Sequence, residues 1–404
     1  MVFDFLSIDD VDVKGKTVFL RADINSPLDP NSKRILDATR IEAVIPTIVD
    51  LRSAKVVLGA HQSRPDKYDF TGLETHSKVL GMYLNGKVQF TEDIIGEKAQ
   101  TAIKNLKVGE VLVLNNVRML EEENRRAPAE ELAETEFVKT MAPLVDVFVN
   151  DAYAAAHRSQ ASLVGLSNVM PMVAGRLMEK ELRALNRVID SPDRPSTYLL
   201  GGAKVEDRIP VIRRVLREDI ADSILIGGLI RDSFHMAKGH MERRYHRLDE
   251  EEKKLVDEAT KILDEFPDKI QLPVDVALDV NGERVEILAD RLSDETNIYD
   301  IGLNTIAHFS SNIMKAKTVV AEGPLGMFER RGFDIGTKEL LRCMARCGAY
   351  TVIGGGHMGA MASMLGIIGD MNHVSTGGGA MLSMLAGETL PVVTALEESK
   401  KRYG

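Results

Sequence analysis

Short apolar runs alternate with longer stretches of helical periodicity along most of the chain. The apolar runs predict strands at 16–23, 55–61, 110–116 and 145–151 in the first half, and at 196–202, 222–228, 275–280, 317–323 and 349–356 in the second. Strands that alternate with helices are typical of a mostly parallel sheet with crossover helices. The pattern therefore predicts an α/β fold.

The chain has 404 residues, which is more than one hydrophobic core usually supports. Between the two halves, residues 172–189 have the periodicity of a single amphipathic helix. We therefore expect two Rossmann-like parallel-sheet domains joined by this hinge helix. The predicted boundaries are 1–171 for the first domain and 190–391 for the second.

Composition narrows the class of protein. The net charge of −10 disfavours a nucleic-acid partner, whose binding surface would be basic, although a local basic cluster can still bind a small anion. No apolar run reaches the roughly eighteen residues of a membrane span, and the acidic N-terminus is unlike a secretory signal. Cys343 and Cys347 are too few for a disulfide framework or a zinc site. We expect a cytoplasmic protein with reduced thiols.

Polar and charged side chains end or follow the predicted strands of the first half. The first strand runs into Asp23 and Asn25, the second into His61 and Arg64, the third into Arg118, and the fourth into Asn150, Asp151 and then Arg158. Arg40 opens a predicted helix, where its charge opposes the helix dipole. Each arginine alone could be an ordinary surface residue paired with a nearby acid. Together they predict a site for a small polyanion, because guanidinium groups match phosphate and carboxylate oxygens.

Glycines follow the predicted strands of the second half, in LLGGAKVEDR, LIGGLIRDSF, AEGPLGMFE, VIGGGHMGAM and VSTGGGAML. Tight turns between strands and helices use glycine in any case, but exposed backbone amides also bind anions. None of these segments fits GxGxxG with an acidic residue about twenty positions later, so a dinucleotide is the weaker alternative. The second half is predicted to bind a nucleotide. A polyanion domain and a nucleotide domain together suggest phosphoryl transfer with domain closure, which would exclude water.

The ordered motifs resemble those of the phosphoglycerate kinase family over nearly the whole chain. In the first half they are VFLRADINSPL, RIEAVIPTI, GAHQSRP, LNNVRMLEEE and FVNDAYAAAHRSQAS. AGRLMEKEL is similar to the family's interdomain helix, and LGGAKVEDRI, LPVD, DIGLNT, EGPLGMFE, IGGGHMGA and HVSTGGGA are similar to its nucleotide domain. The last segment resembles a tail that returns to the first domain, so 392–404 is expected to complete that domain.

The resemblance implies reversible phosphoryl transfer between ATP and the carboxylate of 3-phosphoglycerate, with Mg²⁺ as cofactor. Arg40, Lys204 and Gly377 are the implied catalytic residues, with Arg40 and Lys204 beside the moving phosphoryl group. The implied substrate-binding residues are Asp23, Asn25, Arg40, His61, Gln62, Ser63, Arg64, Arg118 and Arg158. The implied nucleotide-binding residues are Gly201, Gly202, Lys204, Arg208, Glu329, Gly355, Gly356, His357, Met358, Ser375, Thr376 and Gly378. Among these, Asp23 and Asn25 would orient the glycerate, and Glu329 would bind the ribose.

Three positions depart from the family pattern. His357 stands where the family usually has an aspartate that helps to hold Mg²⁺, Glu322 stands for the asparagine of WNGP, and Arg208 stands for a lysine. They suggest a divergent branch similar to the archaeal enzymes. His357 and Glu322 keep open the alternative of a nucleotide-binding protein without turnover, and the alternation of strands and helices with glycine turns leaves a nicotinamide-dependent dehydrogenase as a further alternative. The expected partners are the small-molecule substrates, with neither nucleic acid nor membrane, and the chain is expected to be a monomer or a homodimer.

Overall fold

The computed structural model describes residues 3–293 and 296–404. Its strands are β1 Thr17–Ala22, β2 Lys55–Gly59, β3 Val88–Phe90, β4 Val111–Val113, β5 Val147–Asp151, β6 Met172–Ala174, β7 Ser196–Leu200, β8 Ser223–Ile226, β9 Ile270–Gln271, β10 Asp275–Val280, β11 Glu283–Leu288, β12 Ile298–Ile301, β13 Thr318–Glu322, β14 Tyr350–Gly354 and β15 His373–Val374.

Its helices are α1 Thr39–Asp50, α2 Glu74–Tyr83, α3 Glu97–Asn105, α4 Ala129–Leu132, α5 Glu136–Met141, α6 Ala161–Val164, α7 Arg176–Ile189, α8 Val205–Arg217, α9 Ile230–Ala237, α10 Glu242–Tyr245, α11 Glu250–Glu265, α12 Leu303–Lys315, α13 Ile335–Met344, α14 Gly356–Met364, α15 Gly378–Leu385 and α16 Pro391–Tyr403. Among the described residues, none of these helices combines the length and the apolar character that a membrane span needs.

The chain divides into two compact units. The first unit runs up to Arg183 and includes Thr389–Gly404, and the second unit is Ala184–Glu388. The division falls inside α7, whose role as a hinge stays a prediction.

The first unit contains a six-stranded sheet in the order β3-β4-β2-β1-β5-β6. All of its neighbouring strands are parallel. The central strand β1 is an almost continuous apolar run, which is typical of a parallel strand covered on both faces. Its side chains of Val18 and Leu20 are fully buried and pack with Val56, Leu58 and Val149 in one core. All the carboxyl ends of the strands therefore meet at one edge of the sheet.

The second unit contains a six-stranded parallel sheet in the order β15-β14-β13-β7-β8-β9. Its central strand β13 contributes Val319 and Ala321 to a core that also contains Phe309, Leu340 and Ile353. Two parallel six-stranded sheets with crossover helices are the predicted α/β class, which is confirmed.

Two predicted elements were wrong in detail. The strand predicted at 275–280 does form, as β10, but it pairs antiparallel with β11 and β12 in a separate three-stranded sheet. The single helix predicted over 172–189 begins only at Arg176, because Met172–Ala174 pairs with β5 as the edge strand β6. Gly175 donates its amide to Asn150 at 2.9 Å, so the backbone there still follows the sheet.

Helix α16 packs within the first unit. The side chains of Val392, Val393 and Leu396 are buried, and the Ser399 hydroxyl accepts a hydrogen bond of 2.8 Å from the amide of Met172. The amide of Val392 donates to the carbonyl of Ala156 at 3.3 Å. The end of the chain therefore fills part of this unit's apolar interior.

Deleting residues 392–404 is expected to destabilise the first unit by more than about 4 kcal/mol, because three apolar side chains lose their burial at about 1.5–3 kcal/mol each. Thermal unfolding of the truncated and complete chains would measure the loss. Deleting only Tyr403 and Gly404, which are exposed, is the matched control and should leave the transition unchanged. An unchanged transition after the longer deletion would show that α16 is not part of the cooperative unit.

Candidate functional site

Three predicted arginines and a histidine come together beyond the carboxyl edge of the first unit's sheet. Burial lowers the pKa of Arg158, and the charges of Arg64 and Arg40 lower it further. Burial also holds the pKa of His61 well below its ordinary value, with the charges of Arg158 and Arg40 adding to the effect. These mutual effects require the groups to be close, so the predicted gathering of cations occurs. His61 is neutral at pH 7 and can offer a hydrogen bond but no charge.

Arg40 forms an ion pair with Asp23, whose side chain is almost completely buried. This contact explains why a cation opens α1 against the helix dipole. Asp23 Oδ1 also accepts a 3.1 Å hydrogen bond from the amide of Asn25. The side chain of Arg40 keeps about a third of its exposed area, at 36%. Its guanidinium is therefore oriented by Asp23 and still open to a ligand.

The segment after β2 is cross-linked to its neighbours through Ser63. Its φ of 58° lies in the left-handed region, which a serine adopts only when its surroundings hold it there. Its amide donates to Asn25 Oδ1 at 3.0 Å, and its carbonyl accepts from the guanidinium of Arg118. Asn25, Ser63 and Arg118 thus fix one another.

Gln62 is fully buried and uses its amide within the protein. Its Oε1 accepts from the amide of Ser26 at 3.0 Å, its Nε2 donates to the carbonyl of Ser26 at 3.0 Å, and Nε2 of His76 lies 3.0 Å from the same Oε1. Both polar atoms of the Gln62 side chain thus bond within the protein, and its contact with a substrate stays a prediction. These hydrogen bonds fix the segment that contains His61 and Arg64 against Ser26 and His76.

Sequence reasoning missed a buried charge pair behind this site. Arg21, at 0% exposure, donates from Nε to Ser162 Oγ at 2.7 Å, and Glu123 accepts from that hydroxyl at 2.6 Å. Arg21 Nη2 also lies 3.3 Å from His61 Nδ1. Because a guanidinium can only donate, Nδ1 is the acceptor and the proton sits on Nε2. An arginine inside the apolar strand VFLRA was the available signal.

The second unit contains a cavity of ≈ 460 Å³ beyond the carboxyl edge of its sheet. Seven predicted residues line it: Gly202, Lys204, Arg208, Glu329, Gly355, His357 and Met358. Lys204 immediately precedes α8, its side chain is exposed, and within the described chain it forms no ion pair. The cavity therefore has a cation that remains available to a ligand.

The other predicted residues of this half lie outside the cavity lining: Gly201, Gly356, Ser375, Thr376, Gly377 and Gly378. Gly378 nevertheless approaches it, since a Cβ at Gly378 would lie 2.9 Å from the Cα of Gly355. Helices α14 and α15 therefore begin side by side at the edge of the cavity.

Sequence reasoning also missed the apolar walls of the cavity: Leu229, Ile298, Tyr299, Met327 and Phe328. The ring of Phe328 lies 4.7 Å from the imidazole of His357, centroid to centroid. Flat apolar walls suit an aromatic base. Only the three-dimensional structure reveals them, because an apolar residue that lines a cavity has the same sequence signature as a core residue.

Some of the glycines serve the packing of the loops rather than a ligand. Gly228 has φ 58°, and a Cβ there would lie 2.3 Å from the amide nitrogen of Gly202. Gly323 has φ 79°, and its Cβ would lie 2.6 Å from the carbonyl oxygen of Gly201. The segments that follow β7, β8 and β13 therefore pass one another with their backbones in direct contact, and only glycine leaves room for this. Three of the predicted glycine segments are therefore explained without a nucleotide.

Arg231 holds the cavity walls together, and no sequence pattern points to this role. Its guanidinium donates to the carbonyls of Gly228 at 2.6 Å, Ile298 at 2.7 Å and Leu325 at 3.3 Å. Because each acceptor belongs to a different segment, this buried side chain fixes the spacing of three walls.

Two of the three departures from the family pattern form a pair. Arg208 and Glu322 are both buried and make an ion pair, and Arg208 Nε donates to the carbonyl of Gly201 at 3.0 Å. Burial raises the pKa of Glu322 to about 7, against the opposing effect of Arg208. Among the described residues, no group of three or more histidine, cysteine, aspartate or glutamate side chains is placed to hold a metal ion.

Comparison with known proteins identifies the family. The sequence model of phosphoglycerate kinase matches residues 8–388. A phosphoglycerate kinase of Methanobacterium bryantii is 44% identical over 407 residues, covering 100% of this chain and 99% of that protein. One of Pyrococcus furiosus is 46% identical over 403 residues and 98% of both chains.

The crystal structure of phosphoglycerate kinase from Pyrococcus horikoshii OT3 superposes with a TM-score of 0.89 at 44% identity, covering 98% of this chain and 100% of that one. The structure of phosphoglycerate kinase from Coxiella burnetii gives a TM-score of 0.82 at 29% identity, covering 99% and 100%. The resemblance predicted from the ordered motifs is confirmed. The chain belongs to the phosphoglycerate kinase family.

Proposed function

We propose that this chain catalyses reversible phosphoryl transfer between ATP and the carboxylate of 3-phosphoglycerate, yielding ADP and 1,3-bisphosphoglycerate. The proposal depends mainly on one observation, that this chain of the family has two complementary sites. The first unit has accessible arginines beyond its parallel sheet, and the second unit has a cavity with glycines at its edge and apolar walls. Two free cysteines suit a reducing compartment, and we place the reaction in the cytoplasm.

The first unit is proposed to bind the phosphoglycerate. Arg64, Arg118, Arg158 and neutral His61 would bind the phosphate that is not transferred, since arginine forks pair with its oxygens. Asp23 and Asn25 would orient the glycerate. Arg40, held by Asp23 and partly open, would stabilise charge on the moving phosphoryl group.

The second unit is proposed to bind the nucleotide. The base would lie between Tyr299, Phe328 and their apolar neighbours, and Glu329 would accept a hydrogen bond from the ribose. The backbone amides at the start of α14 and α15, including those of Gly377 and Gly378, would face the phosphates. Lys204 would neutralise charge on the transferred group.

The proposed chemistry needs no covalent intermediate and no general base. The acceptor carboxylate is ionised at neutral pH, so the nucleophile is already formed. The protein has to align donor and acceptor oxygens and neutralise the charge of a loose transition state. In the reacting complex the two bound substrates must meet, and we propose that domain closure about α7 brings them together and excludes water.

Magnesium fits this proposal as the ion that neutralises nucleotide phosphate charge. The imidazole of His357 is not a preferred ligand for it, but the carboxylate of Glu322 supplies the oxygen chemistry at the cavity.

A coupled assay tests the function. Purified protein with Mg²⁺-ATP and 3-phosphoglycerate should form 1,3-bisphosphoglycerate, which a downstream dehydrogenase reduces with loss of NADH absorbance. Omitting 3-phosphoglycerate is the control and should abolish the signal. ATP binding without turnover would instead support the alternative of a nucleotide-binding protein, which His357 and Glu322 motivate.

A further inference from the structure

Glu322 ends β13 in the floor of the cavity, and its two carboxylate oxygens have different surroundings. Oε2 is paired with Arg208. Two further N–H groups of Arg208 donate to the carbonyls of Gly201 at 3.0 Å and Lys204 at 3.3 Å. Arg208 thus directs three of its N–H groups to the protein, and Glu322 offsets its positive charge. The contribution predicted for Arg208 as a phosphate-binding cation is correspondingly small.

Oε1 of Glu322 has no hydrogen-bond or ion-pair partner among the described residues, although the residue is only 5% exposed. This oxygen lies 3.1 Å from the place that a Cβ of Gly355 would occupy, and 3.6 Å from the corresponding place at Gly378. Those two glycines stand at the start of α14 and at the start of α15. A buried carboxylate oxygen is therefore aimed at the edge where two sets of backbone amides attract phosphate.

A bare carboxylate beside nucleotide phosphates would repel them at short range. The arrangement becomes favourable when a divalent cation lies between the two anions. Mg²⁺ is commonly held by one or two carboxylates together with substrate phosphates, and it keeps several waters. Among the residues that line the cavity, Glu322 and Glu329 are the two carboxylates, and Glu329 has the proposed ribose role.

We propose that Glu322 Oε1 is the protein oxygen ligand, direct or through one water, of the Mg²⁺ that accompanies the nucleotide, with Arg208 orienting the carboxylate through Oε2. This inference rests on the proposed nucleotide site of the second unit. It assigns a joint role to Arg208 and Glu322, and it removes the need for a metal ligand at His357.

The test compares ADP affinity with excess Mg²⁺ and with EDTA by titration calorimetry. In the wild type, Mg²⁺ should tighten ADP binding. Glu322→Gln keeps an oxygen to accept from Arg208. In this variant we expect the ratio of the ADP dissociation constant in EDTA to that in Mg²⁺ to fall by about tenfold, the scale of losing an oriented metal contact. ADP in EDTA should bind the variant at least as tightly as the wild type, because the repulsive charge is gone.

Glu329→Gln is the matched control, since it removes the other carboxylate of the same cavity. It should weaken ADP binding equally in both buffers and leave the ratio unchanged. Electron paramagnetic resonance of Mn²⁺ in the ADP complex gives an independent readout, in which Glu322→Gln should bind Mn²⁺ more weakly and Glu329→Gln should not, at saturating ADP.

If Glu322→Gln fails to fold, it is replaced by the double variant Arg208→Gln/Glu322→Gln, which leaves neither member of the pair charged and alone. The double variant should show the same roughly tenfold fall in the ratio of dissociation constants. Equal weakening in both buffers, or an unchanged ratio in the variant that folds, would overturn the inference and leave Glu322 as a partner of Arg208 alone. A wild type that binds no ADP in either buffer would overturn the proposed nucleotide site as well.

Discussion

Replacing Arg40 by alanine is expected to lower kcat by about 10³-fold, the scale of removing an oriented cation from a phosphoryl-transfer transition state. The physical reason is the position of Arg40: Asp23 holds its guanidinium at the start of α1, and about a third of its side chain stays open. Because the guanidinium of Arg40 is already oriented, it does not have to reorganise while the phosphoryl group is transferred. Arg40→Lys should recover only part of the rate, since an ammonium cannot form two parallel bonds.

The coupled assay with each substrate varied in turn measures this effect. Arg52→Ala is the matched control, because Arg52 is exposed and precedes β2, at the opposite end of the strand from the cluster. It should leave kcat unchanged. If Arg40→Ala instead raises KM for 3-phosphoglycerate with little change in kcat, then Arg40 serves binding equally in the ground and transition states. Thermal unfolding of both variants would show that loss of the Asp23 contact has not unfolded the unit.

The parallel sheets and the cation cluster could be predicted because both leave local signals. Buried parallel strands are continuous apolar runs, and the side chains that follow them must lie at one edge of the sheet. His61 and Arg158 could therefore be placed together from their positions alone. The family resemblance added roles that no local pattern contains, such as that of Glu329.

What the sequence could not show depends on contacts between distant positions. Arg208 and Glu322 are 114 positions apart and were read as two separate departures, whereas they neutralise each other in the folded chain. β10 has the same apolar signature as a parallel strand, and only its pairing with β11 distinguishes it. The glycines of the crossing loops have the same composition as a phosphate loop, yet Gly228 is required by the nearby backbone of Gly202.

Among single substitutions, the largest effect on stability is expected for Arg21→Met, at about 3–5 kcal/mol, the scale of leaving a buried charge without its partner. Methionine fills much of the same volume, so the loss is mainly electrostatic. Glu123, at 1% exposure, would keep its hydrogen bonds from the amide of Ser162 at 2.8 Å and from its hydroxyl, but it would lose the cation. Denaturant unfolding of the first unit at pH 7 measures the loss, with exposed Arg52→Met as control.

The stability that Arg21→Met loses should depend on pH, through the protonation of Glu123. Burial raises the pKa of Glu123, and Arg21 is the largest influence that lowers it. Without Arg21 the folded-state pKa rises further, so the folded variant favours the protonated carboxyl. Stability contributed in this way is present at low pH and is lost as the pH rises through the folded-state pKa. Arg21→Met should therefore be less impaired at pH 5 than at pH 7. A cost below about 1 kcal/mol at both values would mean that Glu123 is already protonated in the wild type.

The double variant Arg21→Met/Glu123→Gln separates stability from function. Glutamine still accepts from Ser162 and carries no charge, so most of the lost stability should return. The contact between Arg21 and His61 Nδ1 does not return, and His61 is then free to exchange its tautomer or turn its ring. We therefore expect KM for 3-phosphoglycerate to be above the wild-type value in both the single and the double variant, although the double variant unfolds almost like the wild type. Recovery of both quantities together would assign Arg21 to the fold alone, whereas recovery of stability without KM makes it the residue that positions His61.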